Sequence, residues 1–193
     1  MLALGACFTD RKSGEPPGEF GQLTASLNGR PFRGAFGPDS TVAIYSAAAG
    51  QLQIEGKRRV GEWTEVVGLV MICENTPGPG VYRVSAPSTP VSARVYRIRI
   101  RRWLPRPWRF TGHFYISDSM PPGTLNVDTL DFSSGAISGR FSVGVRTYNK
   151  KPADSLFVTG AFAGRVLTPK SSRDRPIRWS PQQGRDCNSA KAR

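Results

Sequence analysis

The chain has 193 residues, of which 38% are hydrophobic, and this size suits a single folded domain with tails. It contains 21 glycines and 16 prolines, and its apolar residues fall in short runs, a pattern that favours strands and turns over helices. No apolar run reaches the roughly 18 residues of a membrane-spanning helix. The net charge is +13, and all of the excess lies in residues 94–109 and 165–193, because positive and negative charges balance in the other segments.

The N-terminal residues 4–7, Leu-Gly-Ala-Cys, resemble a bacterial lipobox. In such a signal a peptidase cleaves before the cysteine, whose thiol becomes diacylglyceryl-modified, and small side chains before the cleavage site suit this peptidase. Residues 8–21 are rich in Pro, Gly and charge, which indicates a flexible tether. Only six uncharged residues precede Cys7, whereas a signal has a basic stretch and an apolar stretch of about 7–15 residues. We therefore expect lipidation of Cys7 with a start codon further upstream, the alternative being an ordinary terminal cysteine.

Residues 22–167 alternate between apolar and polar side chains and predict a single β domain. The first alternation ends at an Asn-Gly turn, residues 28–29, and the nearly continuous apolar run Val66–Cys73 predicts a central strand buried on both faces. With about nine or ten strands, the fold class is all-β, an antiparallel β-sandwich or barrel. Residues 168–193 are rich in Pro, Ser and Arg, which predicts a basic disordered tail.

Several segments of this domain occur in a familiar order. They are Leu27-Asn28-Gly29 with Phe32, Leu52-Gln53-Ile54, Gly78-Pro79-Gly80-Val81-Tyr82, Gly123-Thr124-Leu125 through Leu130, Ile137-Ser138-Gly139-Arg140-Phe141-Ser142 and Val158-Thr159-Gly160-Ala161-Phe162. This order resembles an uncharacterised, domain-of-unknown-function family of small all-β bacterial envelope lipoproteins. The resemblance implies an exported β-rich domain and no established activity. The basic segment at residues 94–109 and the basic tail depart from the family's pattern.

Residues 94–109 contain seven arginines and no acidic residue. In a strand, the arginines at 97, 99 and 101 fall on one face and the apolar residues at 96, 98 and 100 on the other. Guanidinium groups bind phosphates in bidentate fashion, and Trp side chains suit a lipid interface or stack on bases. The candidate anion-binding residues are therefore Arg97, Arg99, Arg101, Arg102, Trp103, Arg106, Trp108 and Arg109. The alternative is a solvated ladder of arginines whose stems carry the Trp rings.

Two functions from different classes account for this basic hairpin. The first is a non-catalytic, lipid-anchored protein of the bacterial cell envelope, facing the periplasm, whose hairpin binds anionic lipid or another envelope polymer. The second is a cytoplasmic nucleic-acid-binding β-domain that uses the same hairpin and the tail. Location separates the two hypotheses, because lipidation of Cys7 places the protein where nucleic acid is scarce.

Residues that carry enzyme chemistry are sparse in the sequence. The single histidine, His113, lies in a predicted strand, and no Gly-x-Ser-x-Gly nucleophile motif accompanies it. One histidine and three scattered cysteines give no zinc spacing. Asp128 and Asp131 beside a Ser-Ser-Gly turn suggest either Ca²⁺ ligands or turn-capping acids. We expect no enzyme activity, no cofactor and no metal.

The remaining cysteines, Cys73 and Cys187, have two interpretations. In an oxidising periplasm they can form a disulfide that ties the tail to the domain. Otherwise Cys73 is a thiol in the core and Cys187 a free thiol in the tail. The sequence gives no distance between them, so both interpretations stay open.

Overall fold

The computed structural model describes residues 21–35, 43–46, 50–86, 89–101, 109–118, 122–147, 154–168 and Cys187. Within these ranges the chain is all-β, which confirms the predicted fold class, with eleven strands rather than nine or ten. The strands are β1 Gly21–Leu27, β2 Arg30–Ala35, β3 Ala43–Ser46, β4 Gln51–Val60, β5 Trp63–Ile72, β6 Gly80–Val84, β7 Val91–Arg101, β8 Arg109–Ser117, β9 Gly123–Asp131, β10 Ala136–Thr147 and β11 Ser155–Arg165. The described part of the chain contains no helix of the length and hydropathy needed to cross a membrane.

The strands form one antiparallel sheet in the order β11-β1-β2-β4-β5-β7-β8-β10-β9-β6, with β3 also paired to β4. The long strand β10 pairs with β11 along one edge. Along its other edge it pairs first with β9 and then, at its C-terminal end, with β8. The sheet therefore curls back towards its first strands as a half-barrel, and the two separate layers of a sandwich are absent from the described residues.

The hydrophobic core lies on the concave face that this curl creates. Alternation along the strands supplies it, as in β10, where Ile137, Phe141 and Val143 are buried and their neighbours are more exposed. The predicted central strand is confirmed as β5, which is buried on both faces between β4 and β7. The core is thus one continuous cluster of buried residues that extends to the short strands β3 and β6, and Tyr115 of β8 packs against it.

Four connections lie at one end of the curled sheet, because every strand pairs antiparallel to its neighbours. They join β1 to β2, β4 to β5, β7 to β8 and β10 to β11, and we call this side of the molecule the hairpin end. Asn28 in the β1–β2 turn has a left-handed φ of 48°, a conformation that asparagine tolerates. Its Oδ1 accepts a hydrogen bond of 2.6 Å from the Phe157 backbone N–H, which fixes the turn on β11.

Candidate ligand site at the hairpin end

Along the concave face of β7, the side chains change from apolar to basic. Val91, Ala93 and Val95 are buried in the core, and Arg97 and Arg99 continue the same face towards the hairpin end. The alternation expected from the sequence is therefore present, but the arginine face is the core-facing one. In the first half of the strand, Val91, Ala93 and Val95 pack into the core. Their burial fixes the odd-numbered residues of β7, including Arg97 and Arg99, on the concave face.

A carboxylate on the neighbouring strand faces these arginines. Glu65 of β5 is only 8% exposed and is the cross-strand partner of both Arg97 and Arg58. Its Oε2 accepts a hydrogen bond of 2.8 Å from Arg58 Nε and lies 2.6 Å from Arg58 Nη2. Its Oε1 lies 3.5 Å from Arg97 Nε. On its other side, Arg97 is the cross-strand partner of His113 of β8. We call Arg58, Glu65, Arg97 and His113, which lie side by side across four strands, the charged row.

Two further arginines of this segment, Arg99 and Arg94, also have carboxylate neighbours. Arg99 forms an ion pair with Glu62 in the β4–β5 turn. Arg94, on the opposite face of β7, lies 3.4 Å from Glu55 of β4. The segment has no acidic residue of its own, but carboxylates from elsewhere in the chain lie beside these arginines and offset their charge.

Three members of the charged row, Glu65, Arg97 and His113, line a cavity of about 220 Å³ at the hairpin end, which we call the inner pocket. Its apolar walls are formed by Leu27, Phe32, Val67, Val95 and Leu156. Its polar rim is formed by Arg30, Glu65, Arg97, His113, Tyr115 and Asp154. Six segments of the chain contribute residues to this site, and among the rim residues the sequence predicts only Arg97 as an anion-binding candidate.

Aromatic side chains and a hydroxyl group orient the rim. The Arg97 guanidinium carbon lies 4.9 Å from the centroid of the Trp63 ring, a distance at which the cation and the ring attract each other. The Tyr115 hydroxyl donates a hydrogen bond of 3.3 Å to Asp154 Oδ2. Burial and the Asp154 carboxylate together raise the pKa of Tyr115, so this hydroxyl stays protonated as a donor at neutral pH.

The remaining anion-binding candidates lie at or beyond the last pair of the β7–β8 hairpin. Arg101 and Arg109 are cross-strand partners at its end. Pairing between β5 and β7 stops two residues earlier, at Trp63 and Arg99. Cys7, Arg102, Trp103, Arg106 and Trp108 lie outside the described residues.

The two remaining cysteines lie at the opposite end of the sheet. Cys73 follows β5 and forms a disulfide with Cys187, with their Cα atoms 5.1 Å apart. Both residues are buried. The bond joins the C-terminal tail to the end of the central strand.

Asp128 and Asp131 do not converge on a common site. Asp131 accepts hydrogen bonds from the Ser133 backbone N–H and from the hydroxyls of Ser133 and Ser134, which lowers the pKa of its carboxyl group. Asp128 accepts from Asn126 and lies 3.6 Å from Arg140. This geometry is that of a turn-capping acid and a surface ion pair, and the described residues contain no group of three or more metal-ligating side chains.

No family model, no curated protein and no solved structure matches this chain. The resemblance to small envelope lipoproteins stays a prediction from the sequence.

Proposed function

We propose that this protein is a non-catalytic, lipid-anchored module of the bacterial cell envelope that binds anionic lipid or another anionic envelope polymer. The binding element is the distal hairpin, defined as Arg101, Arg102, Trp103, Arg106, Trp108 and Arg109. The observation that carries this proposal is the pairing of Arg101 with Arg109, two residues beyond the point where β7 stops pairing with β5, the strand that bears Glu65.

The charge of the hairpin is distributed unevenly along its length. At its base, Glu55, Glu65 and Glu62 compensate the arginines of β7. At its tip, Arg101 and Arg109 are register partners, and the residues between them in sequence add two more arginines and no acid. Guanidinium groups bind phosphate and carboxylate with good geometry. Tryptophan in the same loop suits a lipid interface.

The disulfide supports an exported location. Disulfides persist in oxidising compartments such as the periplasm and are rare in the bacterial cytosol. The Cys73–Cys187 bond therefore favours the envelope hypothesis over a cytoplasmic nucleic-acid-binding domain. Lipidation of Cys7 is the proposed anchor, since residues 4–7 resemble a lipobox.

Vesicle co-sedimentation tests the binding element. Phosphatidylglycerol-containing vesicles are compared with pure phosphatidylcholine vesicles at several salt concentrations, with the triple variant Arg101→Gln, Arg102→Gln, Arg109→Gln. We expect wild-type binding to fall with salt, since exposed charges are screened over about 8–10 Å at physiological ionic strength. At about 1 kcal/mol per surface-proximal arginine, the variant should bind roughly 150-fold more weakly.

The matched control removes the same charge from exposed positions on other strands: Arg33→Gln, Arg83→Gln and Arg165→Gln. It should retain affinity within a few-fold of wild type. Equal binding by both triple variants contradicts a role for the distal hairpin. Displacement from vesicles by single-stranded DNA at lower concentrations than by anionic lipid supports the nucleic-acid hypothesis instead.

The anchor is tested in a bacterial host with the gene's own upstream sequence. We expect the wild-type protein in the membrane fraction and labelling of Cys7 by a fatty-acid analogue. Cys7→Ser should release the protein and abolish the label. An unlabelled wild-type protein contradicts lipidation and leaves the vesicle experiment unaffected.

A further inference from the structure

We infer that the inner pocket is a second binding site, which takes a small organic monoanion with an apolar body, such as an aromatic carboxylate, through Arg97. This site is separate from the distal hairpin, so it goes beyond the proposed function. A cavity, a carboxylate that Arg97 shares with another arginine, and an incompletely hydrogen-bonded guanidinium group together carry the inference.

The carboxylate that faces Arg97 is shared with a second arginine. Glu65 contacts both Arg58 and Arg97, and its tighter contacts are to Arg58, at 2.6–2.8 Å, against 3.5 Å to Arg97. Arg58 does not line the pocket, where Arg30 and Arg97 face Glu65 and Asp154. Glu65 therefore compensates the charge of Arg97 only in part, and the carboxylate of a monoanion in the pocket completes this compensation.

Arg97 has hydrogen-bonding capacity to spare. A guanidinium group has five N–H donors. Among the described residues, Arg97 contacts the Glu65 carboxylate and the Trp63 ring, and its buried Nε has no hydrogen-bond partner of good geometry. Its side chain remains 41% exposed and lines the cavity. A carboxylate entering the pocket can therefore accept charge-assisted hydrogen bonds from the remaining N–H groups.

The walls of the pocket determine the rest of the ligand. Leu27, Phe32, Val95 and Leu156 offer apolar surface below the polar rim. The volume of about 220 Å³ lies below the range of drug-sized sites. Apolar cavities of about 150 Å³ hold a benzene molecule in other proteins. A single ring or a short acyl chain carrying one carboxylate matches this size, with its charge at Arg97 and its apolar part against the walls.

Benzoate is a suitable probe, and benzamide is its neutral counterpart of nearly the same shape. Binding of each to the full chain is followed by ¹⁵N-resolved NMR titration in a buffer free of other carboxylates. We expect saturable shifts with benzoate, centred on β5, β7 and β8 residues at the pocket, and much weaker binding of benzamide. Arg97→Gln should lower the affinity for benzoate at least about tenfold, because it removes the charge-assisted donors.

Arg59→Gln is the matched control, since it removes one charge from an exposed position of β4 at the same end of the sheet. It should bind benzoate like the wild type. Leu156→Phe keeps every charge and fills the cavity, so it should abolish benzoate binding. This variant covers the case in which Arg97→Gln unfolds, and the NMR spectrum of each variant reports its fold. Equal affinity for benzoate and benzamide, or undiminished benzoate binding by Leu156→Phe, overturns the inference. Vesicle binding by the distal hairpin can fail without changing either result.

Discussion

Glu55 shows at the residue scale how this sheet compensates Arg94, the arginine on the outer face of β7. The carboxylate is only 3% exposed. It accepts hydrogen bonds from Gln53 Nε2 at 2.7 Å and from the Tyr96 hydroxyl at 3.1 Å, and it lies 3.2 Å from Lys57 Nζ and 3.4 Å from Arg94 Nη2. Burying a carboxylate is costly unless several partners surround it. Two strands therefore combine their polar side chains around one acid.

Tyr96 gives this cluster a pH dependence. Burial is the main cause that raises its pKa above the ordinary value of 10.0, and the negative charge of Glu55 adds to it. The folded state thus holds the phenolic proton more tightly than the unfolded state. The stabilisation is complete below pH 10 and declines as the pH rises above 10 towards the folded-state pKa.

We predict that Tyr96→Phe lowers stability at neutral pH by about 1.5–3 kcal/mol, the range for a hydrogen bond to a charged group. We also predict a smaller loss of Tm above pH 10 than in the wild type. Thermal unfolding from about pH 8 to about pH 11.5 measures both effects. Tyr45→Phe is the control, because the Tyr45 hydroxyl contacts the exposed Thr76, and it should keep the wild-type pH profile. Parallel profiles for wild type and Tyr96→Phe would count against this assignment.

At the scale of elements, the seam between β2 and β4 is the weakest ladder on the path of the sheet. Among the described residues, one pair, Ala35 with Lys57, joins these strands, whereas ten pairs join β4 to β5. Side-chain contacts and close packing compensate for this short ladder of backbone hydrogen bonds. Arg58 Nη1 donates a hydrogen bond of 2.7 Å to the Pro31 carbonyl, and its guanidinium group lies over the Phe32 ring.

Glycine makes the close approach at this seam possible. A Cβ added to Gly34 would lie 2.7 Å from the backbone of Gly56, closer than real Cβ atoms approach. We predict that Gly34→Ala forces the strands apart and destabilises the fold by about 1–3 kcal/mol, the usual cost of overpacking. Gly78→Ala should change stability little, because nothing lies within 4 Å of its added Cβ. Urea unfolding of the two variants compares them directly, and equal midpoints would contradict the tight seam.

Local patterns were sufficient to predict the strands but insufficient to predict their neighbours. The Asn28–Gly29 turn and the buried strand β5 follow from short-range rules, and the structure contains both. The partner of Arg97 could not be predicted, because Glu65 reaches it through sheet register between strands that are distant in sequence. A segment with no acids therefore predicted a free basic surface, although the arginines of its first half are paired.

Glycine and phenylalanine on β10 and β11 illustrate the same limit. Gly139 faces Phe162, and Phe141 faces Gly160, so each ring covers the glycine opposite it. The sequence shows four ordinary core residues of strands, and only the register shows that they form two complementary pairs. Register depends on the packing of the whole sheet, which a single strand's pattern does not contain.

At the scale of the whole molecule, binding features and covalent reinforcement lie at opposite ends. The hairpin end holds the inner pocket and the base of the distal hairpin. The opposite end holds the Cys73–Cys187 disulfide. A hairpin that binds an anionic surface would hold the mouth of the pocket close to that surface, so the two proposed sites would face the same environment.

The disulfide makes stability depend on redox conditions. It joins residues 114 apart in sequence and so restricts most of the unfolded chain. Loss of a native disulfide typically costs about 2–5 kcal/mol, largely because a long loop is released in the unfolded state. In a Cys7→Ser background, Cys187→Ser should therefore lower Tm and the urea midpoint relative to the oxidised parent.

A reducing agent separates the effect of the bond from that of the substitution. It should destabilise the Cys7→Ser parent to about the level of the Cys187→Ser variant, whose own stability it should leave unchanged. Thiol titration under denaturing conditions should find none in the oxidised parent and one, Cys73, in the variant. Two titratable thiols in the parent purified from the periplasm would contradict the bond and weaken the case for an exported protein, because that location is argued partly from this disulfide.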